Sequence, residues 1–410
     1  MLGDLIVMTP NATRVMSKWG NILPEVKKRC TWAKTAKIHD ANGDLLQVQN
    51  MILENNGFPF CNTHRSYFQK AFYQHALSLG IKVHMGVRVI EYFETETQAG
   101  IIVEGVRHSA DVVIGSDGVH SQCRRFVTGR SENPVSSGFA IYRAWLPLSA
   151  LGDDPVVQEI KKGGDSMNAW IGPDVHCFVT VCEALKSVAY VITHKDEYAV
   201  KESWSSPGRV EDVLNVVKGW DPKLRAIVKA TPKTKLIDWK LLWRDPLKHW
   251  VSDGGRVALS GDAAHPFLPS SGNGASQALE DSTTLATVLE LAGKNNIPLA
   301  LRAYESLRYE RVCLAQRNGF ETRHRWHKPN WKAFGEDKST INLPQPDWLY
   351  RHDAESYTYD RWEDVTEHLL TRKPFISTNT YDGHIHEDWT VKGVMEMEKG
   401  IAPPPLRAKL

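Results

Sequence analysis

The chain of 410 residues lacks most of the patterns that announce a function class. Its six cysteines (Cys30, Cys61, Cys123, Cys177, Cys182 and Cys313) never form a Cys-x-x-Cys pair. That argues against a disulfide framework or a zinc module and points to a reducing compartment. A formal net charge of +2 without a long Lys/Arg run leaves no electrostatic footprint for nucleic acid. The short basic cluster "EVKKRC" reads as a solvated face. No apolar run reaches the length of a membrane-spanning helix. The opening "MLGDLIVMTPNATR" has neither a basic leader nor a small-residue cleavage site, so a cytoplasmic protein is expected. Gly-x-Ser-x-Gly, a Walker A loop and internal repeats are all missing, which removes the hydrolase and P-loop readings. A Gly-x-Gly-x-x-Gly turn after a strand is missing too. The one suggestive piece, Gly272-Asn273-Gly274, follows a Pro/Ser loop and has Gln277 where the third glycine belongs.

What is present is ordinary globular composition, 24% charged and 42% hydrophobic, in a chain long enough for several structural units. Phe68, Ala71, Phe72, His75, Ala76 and Leu79 fall at helical spacing and predict a helix over 63–79. Asn62 or Thr63 is the expected N-cap and Gly80 the terminating glycine. "IKVHMGVRVIEYF" reads as one or two strands. "GIIVEGVRHSADVVIG" reads as a hairpin turning at Glu104-Gly105, followed by a strand over 111–114 apolar enough to be buried on both faces. From about 135 to 250 the texture becomes Trp- and Pro-rich and extended, as in an antiparallel sheet. Helical periodicity returns over 275–289 and 298–328. The tail "IAPPPLRAKL" reads as disordered.

Two segments carry chemistry. "DVVIGSDGVHSQCRR" and "GRVALSGDAAHP" each run a short apolar strand into an acidic residue and flexible backbone. The carboxyl end of a strand is where open α/β sheets bind ligands. Either alone is explained as a turn or a helix cap. Both together, in this order and separated by a β-rich insert, are far more specific.

These segments resemble those of the FAD-dependent aromatic hydroxylases, the group A flavoprotein monooxygenases, in their salicylate-hydroxylase-like branch. "DGVHSQCR" matches a family segment through Asp117, Gly118, Ser121 and Arg124. "GDAAHP" matches the second FAD fingerprint through Asp262, with Pro266 near the flavin. "GNGASQALED" resembles the loop and helix under the flavin ring and implies Gly274 and Ala275 at the cofactor. "NTHRSYFQKAF" and "GFAIYRAWLP" resemble segments that imply Arg65 at FAD and Arg143 in catalysis. The likeness spans about residues 3–355.

The resemblance implies an α/β (α+β) fold: an incomplete Rossmann-like FAD-binding domain, an inserted antiparallel substrate sheet and C-terminal helices. The divisions expected are 1–134 and 251–330 for FAD, 135–250 for substrate and 331–410 for a C-terminal extension. It implies FAD as cofactor, NAD(P)H as electron donor, and O2 activated as a flavin hydroperoxide. The implied partner is a small aromatic or polyketide/terpenoid-like substrate, to be hydroxylated or epoxidised. A helix starting at Gly274 would aim its free N–H groups at the reduced flavin's negative charge.

Two departures stand out. The family begins with a βαβ unit carrying the Gly-rich turn, and "PNATR" (Asn11, Ala12, Arg14) resembles a segment just after it. A parallel sheet without that unit should expose apolar surface and strand edges. The rival reading is therefore a truncated, FAD-deficient relative acting as a binding protein. In "VHCFVTVCEALK" Thr180-Val181 stand where the family commonly has Tyr-Pro. His324 with His327, and His384 with His386, lack a third metal ligand and read as packing or surface histidines. His265 reads as shaping the turn before Pro266.

Overall fold

The computed structural model describes residues 4–131, 133–196, 206–328 and 331–398. The tail expected to be disordered lies outside them. The chain opens with β1 (Leu5–Met8), α1 (Pro10–Ser17), β2 (Thr35–His39), β3 (Leu45–Asn50), β4 (Cys61–His64) and α2 (Arg65–Ser78). There follow β5 (Glu91–Glu94), β6 (Ala99–Val103), β7 (Val106–Ala110), β8 (Val113–Gly115) and α3 (Gln122–Thr128). Next come β9 (Val135–Pro147), β10 (Ser166–Gly172), β11 (Val175–Cys182), β12 (Ser187–Lys195), α4 (Val210–Val216), α5 (Pro222–Lys229) and β13 (Leu236–Trp243). The chain then returns through β14 (Val257–Leu259), α6 (Gly274–Ala292), α7 (Ile297–His327) and α8 (Ala354–Thr371).

A seven-stranded mixed sheet in the order β13-β9-β12-β11-β10-β2-β3 forms the larger layer. Its strands are rich in Val, Ile, Tyr and Trp, which suit a pleated, packed surface. Successive side chains alternate between faces. Tyr142, Ala144, Cys177, Val179, Val181, Tyr190 and Ile192 pack under α4 and α5. The opposite face carries Ile141, Trp243 and Phe320 in one cluster, and Ala169, Ile171 and Trp326 in another. Phe320 and Trp326 lie in α7, so the long helix lies against this second face. β2 joins β10 in parallel (Met167 opposite Ala36), so residues 35–50 extend a sheet that the sequence reading begins only at 135. Its pairing partner lies more than a hundred residues away, and local pattern does not reach that far.

The second layer is built on the parallel pair β8–β14. Val257, Ala258 and Leu259 are fully buried beneath α6, α7 and α8 through Leu285, Val288, Leu301, Tyr304 and Val365. β8 corrects an expectation. It is not buried on both faces, since Ile114 keeps 36% of its surface exposed. β14 is the one strand it pairs with among the described residues, which leaves its other edge open. Likewise residues 81–90 form no strand before β5, and Ile81, Val83, Met85, Val87 and Ile90 are exposed. β-branched residues favour extension, but an extended segment needs a neighbour to satisfy its backbone.

Other local expectations hold closely. Glu104 (φ 51°) and Gly105 (φ 80°) make the tight turn between β6 and β7, both in the left-handed region that such hairpins require. Gly80 (φ 75°) terminates α2, whose N-cap is His64 rather than Asn62 or Thr63. The His64 ring nitrogen accepts the Ser66 amide at 3.3 Å. α7 spans 31 residues, with Pro298 in its first turn where no backbone donor is needed.

The far end of α7 is tied to the sheet by two buried histidines, His176 Nδ1 and His327 Nε2, 2.7 Å apart. One ring donates and the other accepts, so both are neutral. Burial, reinforced by Arg323, pushes His176 down to about 3, and burial together with His176 lowers His327 as well. A histidine depressed in the fold stabilises it above the unfolded value of 6.5 and loses that contribution as pH falls. Each ring should therefore subtract about 2 kcal/mol between about pH 7 and pH 5. His176→Asn is expected to flatten that slope. Urea midpoints measured across this range check it, and an equally steep slope in the variant contradicts it.

Candidate active site

The turn after β14 is a single helical turn, Gly261–Ala263, held from three sides. The Gly261 amide donates to the Asp281 carboxylate of α6 at 2.9 Å. His265 Nε2 meets the same carboxylate at 2.7 Å, and Arg308 of α7 binds its other oxygen at 2.9 Å. From α3, Arg124 donates to the carbonyls of Ala263 (3.3 Å) and Ala264 (2.8 Å). Gly261 has φ 59°, a conformation that side chains disfavour.

With the turn fixed this way, Asp262 needs no role in holding it. Its side chain is exposed, yet loss of solvation raises its carboxyl pKa above the ordinary value. His265, the Phe267 amide and Arg65 work against that rise. An exposed carboxylate that still feels desolvation lies on the wall of a surface recess rather than on a convex face.

Pro266 is buried, and its carbonyl accepts the Gln316 side-chain amide at 2.9 Å. The loop turns at Gly272 (φ 58°), and Asn273 precedes α6 without capping a backbone amide, its Oδ1 accepting the Gln277 side-chain amide at 2.8 Å instead. A Cβ on Gly274 would lie 3.0 Å from that of Phe267, so the loop and the helix start are closely apposed. Ala275 packs against the core formed by β1, α1 and α2. No acidic side chain occupies the first turn of α6, so its positive end stays available to an anionic or electron-rich group.

The sheet supplies the other wall. Arg143, central in β9, is buried and ion-paired to Asp4, and its guanidinium lies 4.8 Å from the centre of the Trp239 ring. Burial lowers its pKa, Asp4 opposes that shift, and Arg65 adds to it. Arg65 heads α2, and its amide donates to the Asp4 carbonyl at 2.8 Å. The same Arg65 is close enough to act on Asp262. Asp4 thus joins Arg143 and Arg65, and Arg65 in turn reaches Asp262.

Asp117 and Arg124 work mainly on the protein's own backbone. Asp117 accepts the amides of Gln122 (2.7 Å) and Cys123 (3.1 Å) and the Ser121 hydroxyl, and so caps α3. His265 is the turn-shaping residue its sequence position predicts. The described residues contain no cluster of metal-ligating side chains, and the six cysteines are free and buried.

Sequence reasoning missed two features. One is Asp4, which carries no motif. The other is the buried network behind the site, in which Glu280 takes both nitrogens of Arg311 (2.8 and 2.9 Å), Arg308, and Asn11 at 2.5 Å. Burial raises the Glu280 carboxyl, but Arg311 and Arg308 outweigh it and the net shift is downward. A signal existed. Gln277, Glu280, Asp281 and Thr284 recur at helical spacing, and Arg308 and Arg311 stand three apart among the apolar positions of α7.

A family model described as FAD binding domain matches residues 23–318. The chain is 36% identical over 386 residues to the FAD-dependent monooxygenase nodY2 of Hypoxylon pulicicidum, covering 92% of this chain and 83% of that protein. It is 34% identical over 399 residues to the FAD-dependent monooxygenase fmqB of Aspergillus fumigatus, covering 92% and 94%. The solved structure of CtdE in complex with FAD and substrate 4 matches with a TM-score of 0.85 at 32% identity, covering 90% and 91%.

Proposed function

We propose a reaction from one premise: the chain belongs to the family of FAD-dependent monooxygenases. It is an oxidoreductase that uses FAD, with NAD(P)H as the donor typical of the family. The reaction is hydroxylation, with epoxidation second, of an aromatic or polyketide/terpenoid-type small molecule with O2 as cosubstrate. FAD, when bound, supplies the redox chemistry and the activation of O2. What remains for the chain is to bind, orient and exclude water.

The flavin half of that cofactor fits the residues present. Asp262 offers an acceptor to a hydroxylated chain from the recess wall. The uncapped start of α6 at Gly274 and Ala275 offers N–H donors, and Pro266 gives a rigid apolar border. Arg65 adds a positive charge. Asp117 and Arg124 support this site from behind, by fixing α3 and the Gly261 turn. Arg143 orients the substrate against the sheet. The domain division proposed keeps 1–134 and 251–330 for FAD and 135–250 for substrate, with 331–410 as an extension and β2 and β3 serving the substrate sheet.

One observation carries the proposal. Arg65 stands within electrostatic reach of both Asp262 and Arg143, and so links the Gly261 turn to the large sheet. Arg143→Gln is expected to lower substrate-stimulated NAD(P)H oxidation by about 10- to 100-fold, the worth of one charged hydrogen bond, with FAD retained. Steady-state kinetics on the FAD-loaded variant check it. Unchanged turnover contradicts a role for Arg143.

A further inference from the structure

Arg143 sits on the face of β9 that also carries Ile141 and Trp145, while Tyr142 and Ala144 point to the core under α4 and α5. Trp239 lies on the adjoining strand opposite Ile141 and places its ring beneath the guanidinium. His64 meets Trp145 edge-on at 4.9 Å. This face is therefore aromatic, with Arg323 over its Phe139 and Trp243 rings and the Arg143 cation over Trp239.

That cation already has its anion. The Asp4 carboxylate is paired to Arg143 Nη1. The Asp4 side chain keeps 17% of its area exposed against 6% for Arg143, so Asp4 covers the guanidinium on the solvent side. Asp4 is also held by its backbone. Its carbonyl accepts the Arg65 amide at 2.8 Å, and the next residue, Leu5, is paired with His64 in the β1–β4 ladder. Moving the Asp4 backbone means breaking that strand, so the carboxylate can leave Arg143 only by rotating about its own side-chain bonds. Counted together, Asp4 and Asp262 balance Arg65 and Arg143, two negative charges against two positive. A substrate carboxylate entering here must displace one carboxylate from Arg143 to install another. It gains no net pairing and still loses its own hydration. An uncharged aromatic ring loses nothing of the kind and gains the Trp239 and Trp145 surface.

We propose that Asp4 is a specificity-determining residue which, by neutralising and fixing Arg143, restricts this enzyme to uncharged aromatic substrates and excludes aromatic carboxylates. The proposal rests on the reading of Arg143 as facing the substrate.

The test uses the full chain and two probes of matched shape, 2-naphthamide (neutral) and 2-naphthoate (anionic). Their binding is measured by quenching of tryptophan fluorescence and by equilibrium dialysis, with and without FAD. The wild-type chain is expected to bind the amide tighter than the carboxylate by at least about tenfold, the size of one charge-assisted hydrogen bond. Asp4→Asn keeps the shape and removes the charge. It is expected to reverse the preference, and adding Arg143→Gln to it is expected to abolish the gained carboxylate binding. Equal binding of both probes by the wild type, a measurement that needs no variant to fold, overturns the proposal. So does an unchanged ratio in Asp4→Asn when circular dichroism shows the native fold. If Arg143→Gln weakens both probes while Asp4→Asn leaves their ratio alone, Asp4 is refuted and the substrate-facing reading of Arg143 stands. If Arg143→Gln changes binding of neither probe, both fall together.

Discussion

Glu280→Ala is expected to remove about 3–5 kcal/mol of stability, the usual consequence of deleting one partner of a buried ion pair. Two fully buried guanidiniums, Arg308 and Arg311, share this carboxylate. The substitution leaves both under-compensated in a place water cannot reach. Arg308 keeps Asp281 at 2.9 Å, whereas Arg311 keeps only carbonyls, at Asn379, Leu349 and Trp348. Against a total of about 5–15 kcal/mol for a typical domain, such a loss leaves little margin. Glu280→Gln should fall between, because it keeps the packing and one acceptor oxygen. The Glu280 pKa is lowered in the fold, so its contribution is present above the ordinary value of 4.5 and fades as pH falls through the folded value. The gap between wild type and variant should accordingly narrow in acid. Urea denaturation followed by circular dichroism measures it. A loss under about 1 kcal/mol at neutral pH would mean the network is not the keystone of α6 and α7.

Asp262→Ala is expected to weaken FAD binding by about 10- to 100-fold while leaving the fold intact. The two halves of that statement have separate causes. Affinity falls because a hydrogen-bond acceptor on the recess wall is lost. The fold survives because the turn is held by Gly261 on Asp281 and by Arg124 on Ala263 and Ala264, none of which involves the Asp262 side chain. Asp262→Asn should recover part of the affinity, since an amide oxygen still accepts. Removing the desolvation burden of a carboxylate with a raised pKa should make either variant at least as stable as wild type at neutral pH. FAD titration by quenching of flavin fluorescence, with a thermal melt beside it, reads both. An unchanged dissociation constant removes Asp262 from the cofactor site.

The parts legible in the sequence were those encoded by local backbone chemistry. Gly261-Asp262, Gly274, Gly80 and the Glu104-Gly105 turn each need a conformation or a close approach that few residues tolerate, so a short string reveals them. The long α7 was legible because its apolar spacing persists for many turns. What stayed hidden depends on distant partners. Asp4 looks like any exposed acid until β1 pairs with β4 and brings it to Arg143. Glu280 and Arg308 are separated by more than two dozen residues and meet only when α6 and α7 pack. Of the one or two strands expected over 81–93, β5 (Glu91–Glu94) forms and residues 81–90 do not, since their propensity finds no pairing partner among the described residues. Asp117 and Arg124 carry the family motif, yet their visible work in the fold is to cap α3 and brace a turn.

The central property of this chain is that it holds FAD and uses it to oxidise NAD(P)H. The direct measurement is to mix the purified 410-residue chain with FAD, remove the excess by gel filtration, record the visible spectrum, and follow O2-dependent NAD(P)H oxidation. The predicted result is a yellow protein with a flavin spectrum shifted from that of free FAD, which consumes NAD(P)H and is accelerated by neutral aromatic compounds. A colourless protein that retains no FAD and leaves NAD(P)H untouched would contradict it.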